Sequence, residues 1–143
     1  MNTTHQTDIS KTPAISVIIT AYNYGRYIKD AISSVLSQDF EDFELIIMNN
    51  ASSDETDEIV KTFLDDNRIR YFVNDSNIGA VPNYNKGISL SRAPYIFFLS
   101  ADDFILPDCL STLYNALNTR DAIDFVYAKY YFTGSDGKTR QEI

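Results

Sequence analysis

The sequence predicts an α/β fold in which a mainly parallel sheet carries helices on both faces. Short apolar runs rich in β-branched residues alternate with segments whose apolar residues recur at helical spacing. The predicted order is β-α-β-α-β-α-β-α-β, an alternation typical of parallel sheets. Polar clusters at residues 20–23, 49–54 and 100–103 follow three of these strands. Because ligands bind beyond the carboxyl ends of such strands, the clusters predict one shared site.

The first half of the chain supplies two strands and the helices that follow them. Residues 15–19 (ISVII) form a mainly apolar, β-branched run, which predicts a strand buried on both faces. Apolar residues at helical spacing predict a helix over 28–38. Residues 43–48 (FELIIM) predict a second buried strand. Ser52, with Glu55 three residues later, predicts a capping box at the start of the next helix.

The second half alternates in the same way. Helices are predicted at residues 59–64, 82–91 and 107–117, and strands at 69–73, 95–99 and 124–132. Pro82 and Pro107 suit first helical turns, where a missing backbone N–H costs nothing. Residues 95–99 (YIFFL) are apolar throughout and predict another buried strand.

Composition limits the class of protein. The 143 residues suit one domain, predicted over 13–143, and residues 1–12 are polar and predict a disordered tail. With 12 Lys and Arg against 20 Asp and Glu, the net charge of −8 argues against nucleic-acid binding. One cysteine, Cys109, excludes an intrachain disulfide and favours a reducing, cytoplasmic setting. No apolar run approaches the roughly 20 residues of a membrane-spanning helix.

Two adjacent acids, Asp102 and Asp103, come directly after the predicted strand at 95–99. Neighbouring carboxylates repel each other, so they favour a compensating cation. Carboxylate oxygens suit Mg²⁺ or Mn²⁺, often shared with a substrate phosphate. The pair therefore predicts a metal–diphosphate site. The alternative for such a pair is a solvated loop or the start of a helix, where acids are common.

The other two polar clusters suit a nucleotide. Tyr22 can stack on a planar base, while the Thr20 hydroxyl and the backbone around Ala21 can bond to the edge of that base. Asn50 carries both a donor and an acceptor, which matches a uracil edge. An ordinary strand–helix loop would explain the first cluster equally well, and an Asx turn with a helix cap explains most of the second. The amide-rich stretch 77–85 can close over a ligand or serve as a structural loop.

Other chemistries lack their residues. The sequence has no GxxxxGK[ST] phosphate loop, no GxGxxG after a strand and no GxSxG elbow. Cys109 lies on an apolar helical stretch, and the single histidine, His5, lies in the polar tail, where it reads as a stray surface residue. A cysteine nucleophile would need a partner base.

Taken together, four stretches of this chain resemble the inverting family 2 glycosyltransferases with the GT-A fold. They read SVIITAYN, AISSVLSQDFEDFELIIMNNASSDET, NIGAVPNYNKGI and YIFFLSADDFILP, and the resemblance runs from residue 15 to about 132. It implies a Rossmann-like fold of the nucleotide-diphospho-sugar transferases. It also implies metal-dependent transfer of a sugar, with inversion, from a nucleoside diphosphate (UDP is expected) to an acceptor hydroxyl. The chain looks most like bacterial enzymes of surface or spore-coat polysaccharide synthesis.

The resemblance also implies roles for residues. Thr20 and Tyr22 would hold the nucleobase, with Tyr22 stacked on it, and Asn50 would contact the base edge. Asp102 would contact the ribose or share the metal, and Asp103 would bind the metal that bridges the donor diphosphate. The cation is expected to be Mg²⁺ or Mn²⁺.

The chain departs from the family pattern at the acids. Asn49 and Asn50 stand where the family often has Asp-Asp or Asp-Asn, and an amide can pair with a base edge but brings no charge. Ser100 replaces the first acid of the longer acidic motif. This replacement at Ser100 predicts a lower affinity for the metal.

Family members carry the catalytic base and the acceptor site in a further stretch of chain. We therefore expect this chain to be a truncated, donor-binding part, with the base beyond Ile143 and the acceptor part absent. Asp136 and Glu142 are acids near the end, and neither is assigned as the base. The expected partners are a nucleotide-sugar donor and a glycan or lipid-linked acceptor. The expected location is the cytoplasm, at the inner face of the membrane. An exposed apolar edge predicts a homodimer.

Three other interpretations compete with a donor-binding transferase domain. A non-catalytic nucleotide-binding module, or a degenerate transferase, fits the two asparagines and the unassigned base. A sugar nucleotidyltransferase would need a Gly-rich basic loop after the first strand, and TAYNYGRYI has one Gly and one Arg in another arrangement. A structural domain without a ligand would leave the three polar strand ends unexplained.

Overall fold

A computed structural model of the chain describes residues 12–119, 123–134 and 139–142. Its elements, in order, are β1 (Ile15–Ala21), α1 (Gly25–Leu36), β2 (Phe43–Asn49), α2 (Thr56–Lys61), β3 (Ile69–Val73), α3 (Ala80–Leu90), β4 (Tyr95–Ser100), α4 (Cys109–Asn118), β5 (Tyr131–Thr133) and β6 (Thr139–Glu142). The first eight elements confirm the predicted alternation of strands and helices.

The main sheet has the order β3-β2-β1-β4, and every neighbouring pair is parallel. Thr20 on β1 lies opposite Met48 on β2 and Ser100 on β4. Since parallel strands end at the same edge, this register brings the three predicted polar clusters to one edge of the sheet.

Helices cover both faces of the sheet, as predicted. Alternate residues of β1 point to opposite faces, so Val17 and Ile19 join one core cluster and Ile18 joins another. The larger cluster packs the sheet against α1, α2 and α4. The smaller cluster includes Leu90 of α3, which contacts β1 and β2. None of the described helices has the length and apolarity that crossing a bilayer requires.

A buried carboxylate fastens the edge of the sheet opposite the polar clusters. Glu44, at the start of β2, is 1% exposed. It accepts hydrogen bonds from the Ser16 hydroxyl (2.6 Å), Arg70 Nη1 (2.9 Å) and Arg92 Nε (2.8 Å). Burial alone raises the pKa of Glu44, but these bonds and the Arg92 backbone N–H outweigh it and lower the pKa. A charged Glu44 therefore ties β1, β3 and the segment before β4 to β2.

Two predictions about β4 and α4 were wrong in detail. The strand at 95–99 was expected to be buried, but β4 is an edge strand of the sheet with partly exposed side chains. Ile96 and Phe98 are 38% and 48% exposed because α3 packs over β1 and β2 instead. The helix expected from Pro107 begins at Cys109, after a turn.

The predicted capping box was also wrong. Glu55 is the N-cap residue of α2, but its side chain makes no capping hydrogen bond. The Asp54 carboxylate accepts the Thr56 N–H instead, and the Ser52 hydroxyl accepts the N–H of Asn23 from another loop. The local pattern was right about a capped helix start but not about which side chains make the contacts.

The predicted last strand, 124–132, was wrong. Residues 123–130 have no regular secondary structure, and β5 pairs antiparallel with β6 in a separate two-stranded sheet. Phe125 and Tyr127 are 75% and 86% exposed, so their aromatic pattern finds no partner strand among the described residues. Of the predicted tail, only Thr12 belongs to the described residues.

Candidate functional site

A cleft of about 320 Å³ opens at the carboxyl edge of the sheet. The ends of β1, β2 and β4 form its floor, and the start of α3 forms one side. Its lining residues are Thr20, Ala21, Tyr22, Tyr24, Asn50, Asn77, Gly79, Ala80, Asn83, Tyr84, Ser100, Ala101 and Asp102. Five of the six predicted site residues lie in this lining, and the sixth, Asp103, follows Asp102 in the chain.

Hydrogen bonds to the loop after β2 fix the loop after β1. Asn23 adopts a left-handed backbone (φ 60°) and donates its N–H to the Ser52 hydroxyl at 2.9 Å. Its side-chain oxygen accepts the Ser53 N–H at 2.8 Å. Tyr22, 45% exposed, is thereby held at the mouth of the cleft with its ring available to a ligand.

Asn50 lies at the base of the cleft and is 3% exposed. Its side-chain oxygen accepts hydrogen bonds from Asn74 Nδ2 (2.9 Å) and the Ile78 N–H (3.0 Å). Its Nδ2 donates to Asn77 Oδ1 (2.8 Å) and to the Gly79 carbonyl (3.3 Å). These bonds connect the end of β2 to the loop before α3.

Asn74 and Asn83 belong to the same network. Sequence reasoning gave Asn74 no role and included Asn83 only within the amide-rich stretch 77–85. They are 6% and 1% exposed, and Asn83 donates to the Met48 carbonyl at 3.1 Å. The run of asparagines between residues 74 and 85 was the available signal. Asn49, the neighbour of Asn50, points elsewhere, because its Nδ2 donates to the Tyr71 hydroxyl at 2.7 Å.

Asp102 lies at the other side of the cleft, and the adjacent Asp103 is not among the lining residues. Asp102 lines the cleft and both side chains are exposed. Partial burial raises the pKa of Asp103, the charge of Asp102 raises it further, and a hydrogen bond with Ser100 opposes them. Among the described residues, no group of three His, Cys, Asp or Glu side chains comes together. Two carboxylates still fit a cation of the Mg²⁺ type, which takes one or two of them and completes its shell with phosphate and water.

Other candidate groups do not form a reactive site. Cys109 is half-buried at the start of α4, where burial and then Asp108 raise the pKa of its thiol. A thiol held protonated in this way is a weak nucleophile. Asp136 and the Glu142 side chain lie outside the described part of the structure.

The chain belongs to glycosyl transferase family 2, whose family model matches residues 16–143. It is 34% identical over 125 residues to glycosyltransferase GlyG of Streptococcus pneumoniae, which covers 86% of this chain and 41% of GlyG. It is 37% identical over 108 residues to the GalNAc(5)-diNAcBac-PP-undecaprenol beta-1,3-glucosyltransferase of Campylobacter jejuni, covering 74% and 35%. The chain thus spans less than half the length of these two curated relatives.

Solved structures show the same fold. Residues 1–349 of TarS from S. aureus superpose with a TM-score of 0.66 at 25% identity, covering 69% of this chain and 30% of TarS. TarS has also been solved in complex with UDP and with UDP-GlcNAc. A mannosyltransferase from Pyrobaculum calidifontis, solved with GDP-Man and Mn²⁺, superposes with a TM-score of 0.65 at 19% identity, covering 76% and 32%. These likenesses confirm the predicted GT-A-like fold.

Proposed function

We propose that this chain is the donor-binding part of a glycosyltransferase and holds a nucleoside-diphosphate sugar in the cleft. The protein would transfer that sugar, with inversion, to an acceptor hydroxyl. One observation carries the proposal: the polar ends of β1, β2 and β4 line a single cleft of about 320 Å³ in a chain of this family. A cleft of that size is at the lower end of those that take small ligands.

In this proposal the nucleotide lies across the ends of β1 and β2. Tyr22 would stack on the base, and Thr20 and the Ala21 backbone would bond to its edge. Asn50 lies at the floor of the same cleft, and Asp102 would face the ribose or the cation. Uracil is the proposed base, because TarS, at 25% identity, has been solved with UDP.

Asp102 and Asp103 are the residues that would hold a Mg²⁺ or Mn²⁺ ion. A bound cation would supply the positive charge that offsets charge building on the leaving diphosphate. No Lys or Arg lines the described cleft, so the cation held by the two acids would offset the negative charge of the diphosphate. Burial and the charge of Asp102 raise the pKa of Asp103, and a bound cation would lower it.

The acceptor is proposed from a relative, because no described residue of this chain is assigned to bind it. The name of the Campylobacter relative specifies an undecaprenol-linked glycan, which supports a glycan or lipid-linked acceptor here as well. The acceptor hydroxyl must lose its proton to a general base, and no described residue is assigned that role. The cytoplasmic location, at the inner face of a membrane, and the homodimer stay predictions.

Calorimetric titration with UDP, in Mn²⁺ and in EDTA, tests the proposal. We expect Mn²⁺ to strengthen UDP binding by at least roughly tenfold, since a bridging cation removes charge repulsion at the diphosphate. Asp102→Asn and Asp103→Asn should each remove this gain. Asp108→Asn is the matched control: it deletes an exposed carboxylate outside the cleft lining and should bind like the wild type. Absence of UDP binding under both conditions would reject the proposal.

A non-catalytic nucleotide-binding module is the second candidate. It is favoured by Asn49 and Asn50, which bring no charge to the cleft, and by the lack of an assigned base. The two candidates separate in a transfer assay on the full-length protein with a UDP-sugar and glycan acceptors. A transferase releases UDP in proportion to acceptor, whereas a module binds the donor with Mn²⁺ and releases none.

A further inference from the structure

The amide of Asn50 has no free hydrogen-bonding position for a ligand. An amide oxygen has two lone pairs and the NH₂ group has two hydrogens. The oxygen already accepts from Asn74 and Ile78, and the NH₂ group donates to Asn77 and Gly79. A nucleobase could engage Asn50 only by displacing one of these protein partners, which are the buried Asn74 and the exposed residues 77–79.

These bonds hold one wall of the cleft in place. We call Asn77, Gly79 and Ala80 the α3 wall, because they precede or begin α3 and all line the cleft. The wall turns sharply at Gly79, whose φ of 86° is unfavourable for any residue with a Cβ. Asn77 Oδ1 accepts the Gly79 N–H at 2.9 Å and, on its other side, the amide of Asn50. The wall is exposed and depends on Asn50 for its position.

The network continues away from the cleft into the fold. Asn74 Nδ2 donates to both Asn50 and Asn83 Oδ1 (2.8 Å), and its oxygen accepts from Lys86 Nζ (2.8 Å). Asn83 in turn donates to the backbone of β2 at Met48. The α3 wall is therefore connected through buried amides to the central sheet, which gives it a fixed place relative to the end of β1.

We propose that Asn50 is a positioning residue that fixes the α3 wall against the nucleotide and does not itself select the base. This inference rests on the proposed function. It requires an amide at position 50 in particular. A carboxylate could still accept from Asn74 and Ile78, but it would face the Asn77 oxygen and the Gly79 carbonyl, which are both acceptors. Asn50→Asp should therefore release the wall although it preserves the shape of the side chain.

Amide hydrogen exchange in the ligand-free protein tests the structural half. Asn50→Ala should speed exchange at Ile78 and Gly79 by roughly tenfold or more, because both N–H groups are held by this network. Asn50→Asp should speed exchange at Gly79 but spare Ile78, whose acceptor it retains. Asn115→Ala, which removes an exposed asparagine on α4, should leave both rates unchanged. Unchanged exchange in Asn50→Ala would overturn the proposal.

Affinities for UDP and CDP in the presence of Mn²⁺ test the functional half. The two nucleotides differ at the base edge and share everything else. If Asn50 acts through the wall, Asn50→Ala and Asn50→Asp weaken both by the same factor, roughly tenfold. If Asn50 contacts the base, UDP binding falls and CDP binding does not, and the proposal is wrong. A loosened wall with both affinities unchanged would also overturn it.

Asn77→Ala is a second test of the proposal, for use if the Asn50 variants fail to fold. Asn77 is exposed, and its loss removes one of the two links between Asn50 and the Gly79 turn. Asn50 keeps its bonds to Asn74, Ile78 and the Gly79 carbonyl. We expect faster exchange at Gly79 and an equal loss for UDP and CDP. Failure of the wild type to bind either nucleotide would reject the proposed function, whereas the exchange data would still report on the wall.

Discussion

The N–H of Gly25, the first residue of α1, donates to Asp54 Oδ2 at 2.9 Å, although Asp54 belongs to the loop before α2. The other oxygen of Asp54 accepts the Thr56 N–H at 3.1 Å at the start of α2. One carboxylate thus caps two helices, and it lies where the negative charge is favoured by both helix dipoles. Burial would raise the pKa of Asp54, but these bonds and that of the Thr56 hydroxyl outweigh it and lower the pKa.

Asp54→Ala should lower the free energy of unfolding by about 1–3 kcal/mol, because it removes a side-chain cap from each of two helices. The loop after β1 should also loosen, which would weaken UDP binding. Urea unfolding and calorimetric titration measure the two effects. Glu58→Ala, an exposed acid within α2, is the control and should change stability by no more than about 0.5 kcal/mol. Equal effects from both substitutions would contradict the double-cap role.

Glu44→Gln should destabilise the fold by about 2–3 kcal/mol near pH 7, because Arg70 and Arg92 lose a charged acceptor. Both arginines keep some exposure, at 28% and 47% of their side chains, so water limits the loss. The measurement is the urea midpoint of both proteins. Glu58→Gln changes the net charge equally at an exposed site and should be nearly neutral.

The cost of Glu44→Gln should depend on pH in one direction. The pKa of Glu44 is lowered in the folded protein, so its contribution is complete above its unfolded value of about 4.5 and is lost as the pH falls through the folded value. The difference between wild type and variant should stay constant from pH 7 to about 5 and shrink below that. A difference that shrinks as the pH rises would contradict the ion-paired role.

Gly87→Ala should move α3 away from the sheet. A Cβ at Gly87 would lie 2.8 Å from Ile18 Cγ2 and 3.3 Å from Met48 Cγ, both in the buried core. Overpacking should cost about 1–3 kcal/mol of stability, which exceeds the gain of about 1 kcal/mol from the higher helix propensity of Ala. Thermal unfolding should therefore occur at a lower temperature. Ser89→Ala, at an exposed position of the same helix, should be neutral or slightly stabilising.

Tyr22→Ala should weaken UDP binding by roughly tenfold, because base–aromatic stacking contributes about 1–3 kcal/mol. Tyr22→Phe keeps the ring and should bind within roughly twofold of the wild type. Tyr127→Ala removes a more exposed tyrosine outside the cleft lining and serves as the control. If Tyr22→Phe lost as much affinity as Tyr22→Ala, the hydroxyl rather than the stacked ring would be the important group.

The sequence by itself determined the alternation of strands and helices, because burial on one or both faces leaves a period in the residues that form each element. It also determined the polar strand ends around Thr20, Asn50 and Asp102. The sequence could not determine whether a segment finds a pairing strand that is distant along the chain. The aromatic run at 124–132 has a strand-like pattern, yet most of it forms no strand in the described structure.

Only the tertiary structure decided the strand order β3-β2-β1-β4, which places three separate polar clusters around one cleft. It also decided what the asparagines do. An amide can pair with a base or with another amide equally well, and the choice depends on which groups the folded chain brings within hydrogen-bond distance. At Asn50 those groups are Asn74 and residues 77–79, which are at least 24 residues away along the chain.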